Sequence, residues 1–219
     1  KHEIMMSSFF RTTILLLMLW NFTNCSSILA QSNYQNLVWS DEFNTPGAPD
    51  PAKWGYDIGT GSNGWGNAES QYYTNRSQNV IVEGGMLKIK ALKENFGGSN
   101  YTSARILTKD KFDFRYGRVE VRAKVPSGVG TWPAIWMLGN NINTVGWPNC
   151  GEIDIMEHIG RDLNKIYATL HYPGRSGGNA NGASRMVNTA TTAFHVYGLE
   201  WTSSIIRMTV DGETVHTVA

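Results

Sequence analysis

The chain has 219 residues, with 19 Lys and Arg against 18 Asp and Glu, a formal net charge of +1 and only 17% charged residues. A near-neutral chain with no basic cluster has no electrostatic footing on nucleic acid or an anionic lipid surface, so neither is expected as a partner. Two cysteines, Cys25 and Cys150, make no disulfide framework, and five histidines without ligand spacing argue against zinc. The notable excess is aromatic: 8 Trp, 9 Tyr and 8 Phe beside 23 Gly, which suits sugar-stacking faces and a large β core equally.

In chain order, the four residues before Met5-Met6 are expected to lie upstream of the true start. Arg11, the apolar run from Ile14 to Trp20 and the small polar residues after it read as a secretory signal peptide, too short to span a membrane. Cleavage is expected after Ala30, which leaves residues 31–219 as one domain. Cys25 offers an alternative end as a lipid-modified residue of a surface-anchored form, although Phe22-Thr23-Asn24 is a poor sequence for that processing. Either route exports the protein, to the periplasm or the medium, and a monomer is expected.

Short alternating segments separated by Gly, Asn, Asp and Pro then recur at 37–43, 80–82, 86–92, 104–108, 117–125, 132–138, 152–157, 166–171, 195–201, 205–210 and 214–218. Many strands at that spacing predict an all-β sandwich or barrel, with no amphipathic helix beyond two turns. Residues 205–218, with Asp211-Gly212 at the centre, predict a hairpin, and the chain stops within its second strand.

Several stretches carry candidate chemistry. Residues 64–74 are Gly-rich, aromatic and polar but lack the Lys and the following helix of a phosphate loop. There Asn67 suits a hydroxyl ligand or a turn cap, and Trp65 a stacking surface. In 130–138, Trp132, Ala134 and Trp136 share a strand face, and two indoles one period apart make a flat apolar floor for a pyranose or a Trp-rich core. Trp147 would add a wall. His171 and His195 each sit on a predicted strand, and the Gly- and Asn-rich residues 174–182 read as a loop that rims a cleft.

The most telling stretch is Gly151-Glu152-Ile153-Asp154-Ile155-Met156-Glu157-His158. On a strand, Glu152 and Asp154 point one way while Ile153 and Ile155 point the other. Strict alternation would send Glu157 to the apolar face; one extra residue, most simply Met156 in a β-bulge, returns it to the acids. Three like charges in a row are unfavourable and call for a use. A glycosidase pair with a helper explains them; a solvated acidic strand and a calcium site built of three acids are the competing readings.

Trp147-Pro148-Asn149-Cys150 followed by Gly151 to Glu157 resembles the active-site signature of glycoside hydrolase family 16, in the bulged form of its laminarinases, which are endo-β-1,3-glucanases. The resemblance implies a concanavalin A-like β-jelly-roll sandwich with a concave substrate cleft and a retaining mechanism that needs no cofactor. It implies Glu152 as nucleophile, Glu157 as acid/base and Asp154 as assisting acid. Asn67, Arg105 and His171 match cleft positions beside Trp132, Trp136 and Trp147, with a structural salt bridge the alternative for Arg105. Residues 39–43 resemble the family's opening strand. The family's structural calcium would use Glu42, the Gly85 carbonyl and a late Asp beyond Ala219. By the same comparison the domain is incomplete at its C-terminus, by about its last fifth. Mixed-linkage β-glucan, agar or carrageenan as substrate, or a non-catalytic glucan-binding protein, are the alternatives.

Overall fold

The computed structural model describes Tyr34 and residues 36–219. The expected leader, with Ala30 and Cys25, lies outside the described residues. The strands are β1 (Gly55–Asp57), β2 (Gln71–Tyr73), β3 (Val80–Glu83), β4 (Met86–Ile89), β5 (Leu92–Phe96), β6 (Ser99–Ser103), β7 (Arg105–Leu107) and β8 (Gly117–Ala123). After these come β9 (Ala134–Leu138), the single-turn helix α1 (Ile142–Val145), β10 (Glu152–His158), β11 (Lys165–His171), β12 (Asn181–Met186), β13 (His195–Trp201), β14 (Ile206–Val210) and β15 (Glu213–Val218). The all-β expectation holds.

Two antiparallel four-stranded sheets carry the fold, one ordered β12-β11-β10-β9 and the other β15-β14-β13-β8. Alternation decides what lies between them. Ile166, Ala168 and Leu170 of β11 pack with Tyr197 and Leu199 of β13 and Met208 and Val210 of β14 in one buried cluster. The other face of β11 carries Tyr167, Thr169 and His171, each partly open to solvent. On β8 and its neighbours the outward charges pair, Arg118 with Glu120 and Glu200, and Glu200 with Arg207.

The bulge falls where the alternation requires it. Asp154 lies opposite Thr169 and Trp136, while Glu157 lies opposite Tyr167 and Ala134, so β10 holds one residue more than either neighbour between those points. It occupies Ile155 and Met156 together, and both side chains are buried in the core. Without it Met156 would leave the core, losing about 1.5–3 kcal/mol, and Glu157 would enter it at a cost of several kcal/mol. A disrupted ladder bond, worth about 1 kcal/mol, is the smaller loss.

Residues 37–43 are not a strand. Asp41 instead accepts bonds from the Phe43 N–H (3.0 Å) and the Trp54 indole (2.8 Å), and Trp39 and Phe43 pack against the Trp54 ring. The expected strand 86–92 is two, interrupted where the Lys90 N–H donates to the Asn79 carbonyl (2.8 Å). Strands β1, β2, β6 and β12, and β5 beyond Leu92, were not expected, because they show no apolar alternation; backbone pairing places them, with side-chain bonds such as those of the buried Thr102 of β6.

Two glycines let loops close on the ends of β9 and β10. A β-carbon at Gly139 would overlap the Cys150 carbonyl, and one at Gly160 the Gly128 carbonyl. The Gly160 N–H donates to Thr131 O (2.9 Å) and the His158 N–H to Pro133 O (3.1 Å), so residues 128–133 are pinned to the end of β10. Gly160→Ala is expected to destabilise the protein by about 1–3 kcal/mol. Gly178→Ala, where a β-carbon meets nothing, should stay within about 0.5 kcal/mol. Urea unfolding of both variants checks this, and equal stabilities would contradict it.

Candidate active site

Strand register alone puts the candidate residues together. Glu152, Asp154 and Glu157 lie directly across from Leu138, Trp136 and Ala134 on β9, and from His171, Thr169 and Tyr167 on β11. Cross-strand partners share a face. The three acids therefore form the middle row of a patch with Trp136 on one side and His171, Thr169 and Tyr167 on the other.

Two loops add a tryptophan at each end of the acid row. Trp132, just before β9, donates its indole N–H to Glu157 Oε1 (2.9 Å), and Thr169 donates its hydroxyl to Glu157 Oε2 (3.2 Å). Trp147, in the turn before β10, donates to Glu152 Oε2 (2.5 Å). Both rings are about half exposed, Trp132 at 51% and Trp147 at 47%, which leaves apolar surface beside each glutamate. An indole that fixes a carboxylate with its N–H and shows its ring to solvent fits pyranose recognition.

Asp154 is the buried member, 3% exposed. Burial first, then the charges of Glu152 and Glu157 and a hydrogen bond with Glu152, push its pKa up to about 9. It is therefore protonated at neutral pH, and the row carries a proton between two glutamates rather than three charges. His171 Nε2 lies 3.2 Å from Asp154 Oδ2.

Arg105 stands at the edge of this patch. Its guanidinium lies 5.2 Å from the Trp136 ring centre, 4.7 Å from that of Trp65 and 4.8 Å from that of Tyr73. It pairs with Glu69 (3.2 Å) and Asp57 (3.6 Å). Glu69 also accepts from the Tyr73 hydroxyl (2.8 Å) and the Gln71 amide. Of the two expectations for Arg105, the salt bridge is what the structure displays, and Trp65 packs under that guanidinium with its indole nitrogen buried. Asn67 sits in the exposed turn beside this network, 3.4 Å from Glu69. Glu69, Asp57 and Thr169 were missed: a carboxylate or hydroxyl that acts through a distant partner leaves no local pattern.

Among the described residues, one set of three metal-capable side chains occurs, Glu152, Asp154 and His171, with ligand atoms within 4.8 Å of one another. Glu157 is not in it, so the set differs from the three acids expected for calcium. His171 Nδ1 accepts the Gly177 N–H (3.1 Å), so only Nε2 of that ring faces the two carboxyl groups. Glu42 is exposed and Gly85 lies in the β3–β4 turn. They offer one carboxylate and one carbonyl where calcium takes about six to eight oxygens, so alone they do not fit the ion.

Residues 67–219 match the family model for glycosyl hydrolases family 16. The chain belongs to glycosyl hydrolase family 16. It is 51% identical over 181 residues to a beta-glucanase of Rhodothermus marinus, covering 80% of this chain and 62% of that protein. It is 43% identical to the clotting factor G alpha subunit of Tachypleus tridentatus, covering 80% of this chain and 25% of that one. The fold overlays the X-ray structure of the Rhodothermus marinus laminarinase with a TM-score of 0.80 and 49% identity, covering 83% of this chain and 74% of that one. The chain thus spans less than two thirds of the length of these two sequence relatives.

The buried proton has a cost that depends on pH. Asp154 has a folded pKa of about 9 against an ordinary value of 3.8. Its contribution is therefore most favourable below about pH 4 and declines as pH rises towards 9, by up to about 1.4 kcal/mol per unit. Asp154→Asn, which cannot ionise, should gain stability over the parent progressively across that window in urea titrations. Parallel stability curves for the two proteins would contradict it.

Proposed function

We propose that this family 16 chain is the catalytic part of an exported, monomeric, retaining endo-glycosidase that cleaves β-1,3-glucans such as laminarin. The observation that carries the reading is the acid row: two glutamates on one sheet face, each held by a tryptophan N–H, with the buried Asp154 between them. The laminarinase and beta-glucanase relatives support the substrate class. Export rests on the leader read in the sequence.

In this reading Glu152 attacks the anomeric carbon, the glycosidic C–O bond breaks, and Glu157 gives its proton to the departing oxygen. Glu157 then takes a proton from water, whose oxygen displaces Glu152 and restores the β configuration. Asp154, which holds its proton in the resting row, keeps a hydrogen bond on Glu152 as the attack begins. Trp132 and Trp147 orient the carboxylates and offer their rings to neighbouring sugar units, with Trp136 as the floor between them. No cofactor enters these steps.

Reducing-sugar release from laminarin, measured beside lichenan and agarose, tests the assignment. Laminarin is expected to be the best substrate, with Glu152→Gln inactive and Glu157→Gln slowed by about 10²–10⁴-fold. Binding of laminarin without cleavage by the parent would leave a glucan-recognition protein instead.

A further inference from the structure

We propose that the backbone N–H of Gly177 fixes His171 as the neutral tautomer protonated at Nε2, and that His171 so fixed is a positioning residue that holds the Asp154 carboxyl against Glu152. The role in catalysis rests on the glycosidase reading; the tautomer does not.

Three contacts define the imidazole. Nδ1 accepts the Gly177 N–H at 3.1 Å. A donor aimed at Nδ1 requires a lone pair there, so the ring proton sits on Nε2, and an imidazolium would set two donors against each other. Nε2 faces Asp154 Oδ2 at 3.2 Å. Its N–H occupies that oxygen and leaves Oδ1 to carry the acid's own proton towards Glu152. The third contact is the Trp147 ring, 5.7 Å away centre to centre and inclined by 48°. That same indole donates to Glu152. One imidazole therefore braces both partners of the proposed nucleophile.

Gly177 lies in the loop between β11 and β12, with a φ of 54° that favours glycine. Tyr172 and Arg175 close the start of that loop with two backbone hydrogen bonds of 2.9 Å, and the Asn179 amide donates to the Gly174 carbonyl (3.2 Å). The charged groups facing the ring are Glu152 and Asp154, with Glu157 beyond them on β10; on β12, Gly182 pairs with Thr169 on the same face. A displaced loop would free Nδ1, and with the ring hydrogen moved there Nε2 would no longer donate to Asp154. The loop that rims the cleft thereby sets the hydrogen bonding of the nucleophile.

Long-range 1H–15N correlation spectra of 15N-histidine-labelled protein read the tautomer directly. His171 is expected to show the Nε2–H pattern. An Nδ1–H pattern would overturn the assignment. In kinetics on laminarin, His171→Asn keeps an acceptor for Gly177 but loses the donor, and should lower kcat about ten- to a hundredfold with KM little changed. His171→Gln, whose Nε2 amide replaces that donor, should recover most of the loss; equal losses in both variants would defeat the positioning role. An inactive parent with the expected tautomer would sink the glycosidase reading alone, whereas an active parent with the other tautomer would sink this inference alone.

Discussion

Everything in the cleft depends on Asp154 being buried between two glutamates with its proton on. An ionised Asp154 there would bury a further negative charge beside its neighbours' carboxyl groups; among the described residues its nearest basic partner is a histidine whose second nitrogen already accepts a backbone N–H. Protonation turns this from a liability into a hydrogen-bond donor at the middle of the row. The cost is stability at neutral pH.

That arrangement in turn depends on the bulge. Because Ile155 and Met156 both enter the core, β10 is anchored by apolar packing on its underside at the same residues that turn Glu157 upward. The anchoring sheet, with Tyr197, Leu199, Met208 and Val210, carries no candidate catalytic group, yet it fixes the height of the acid row. Gly139 and Gly160 complete the frame by bringing the loops of Trp147 and Trp132 against the ends of β9 and β10. The two indoles thus reach their glutamates through backbone closeness that no larger residue would permit.

Much of this was legible from residue order. Period-two alternation is a local signal, so Glu152, Asp154 and Glu157 could be placed on one face, and the need for an extra residue followed from counting. Trp136 was readable for the same reason; Trp132, expected on that strand, stands in the loop before it, and Trp147 was placed by its nearness to Glu152 in the chain and by the resemblance to a family. The misreading of 37–43 has a physical cause: Trp39 and Phe43 are apolar because they pack on Trp54, not because they belong to a ladder. Glu69 and Arg105 meet across 36 residues of chain, and the donor to His171 is a backbone N–H that any residue but proline carries. Neither leaves a mark in a single sequence.

The measurement that tests the central claim most directly is trapping of the covalent intermediate. A 2-deoxy-2-fluoro-laminaribiosyl fluoride, slow to leave the enzyme, should add one glycosyl mass to the intact protein, and peptide mapping should find it esterified to Glu152. Label on Glu157 or Asp154, or hydrolysis of laminarin with inversion and no label at all, would contradict the account.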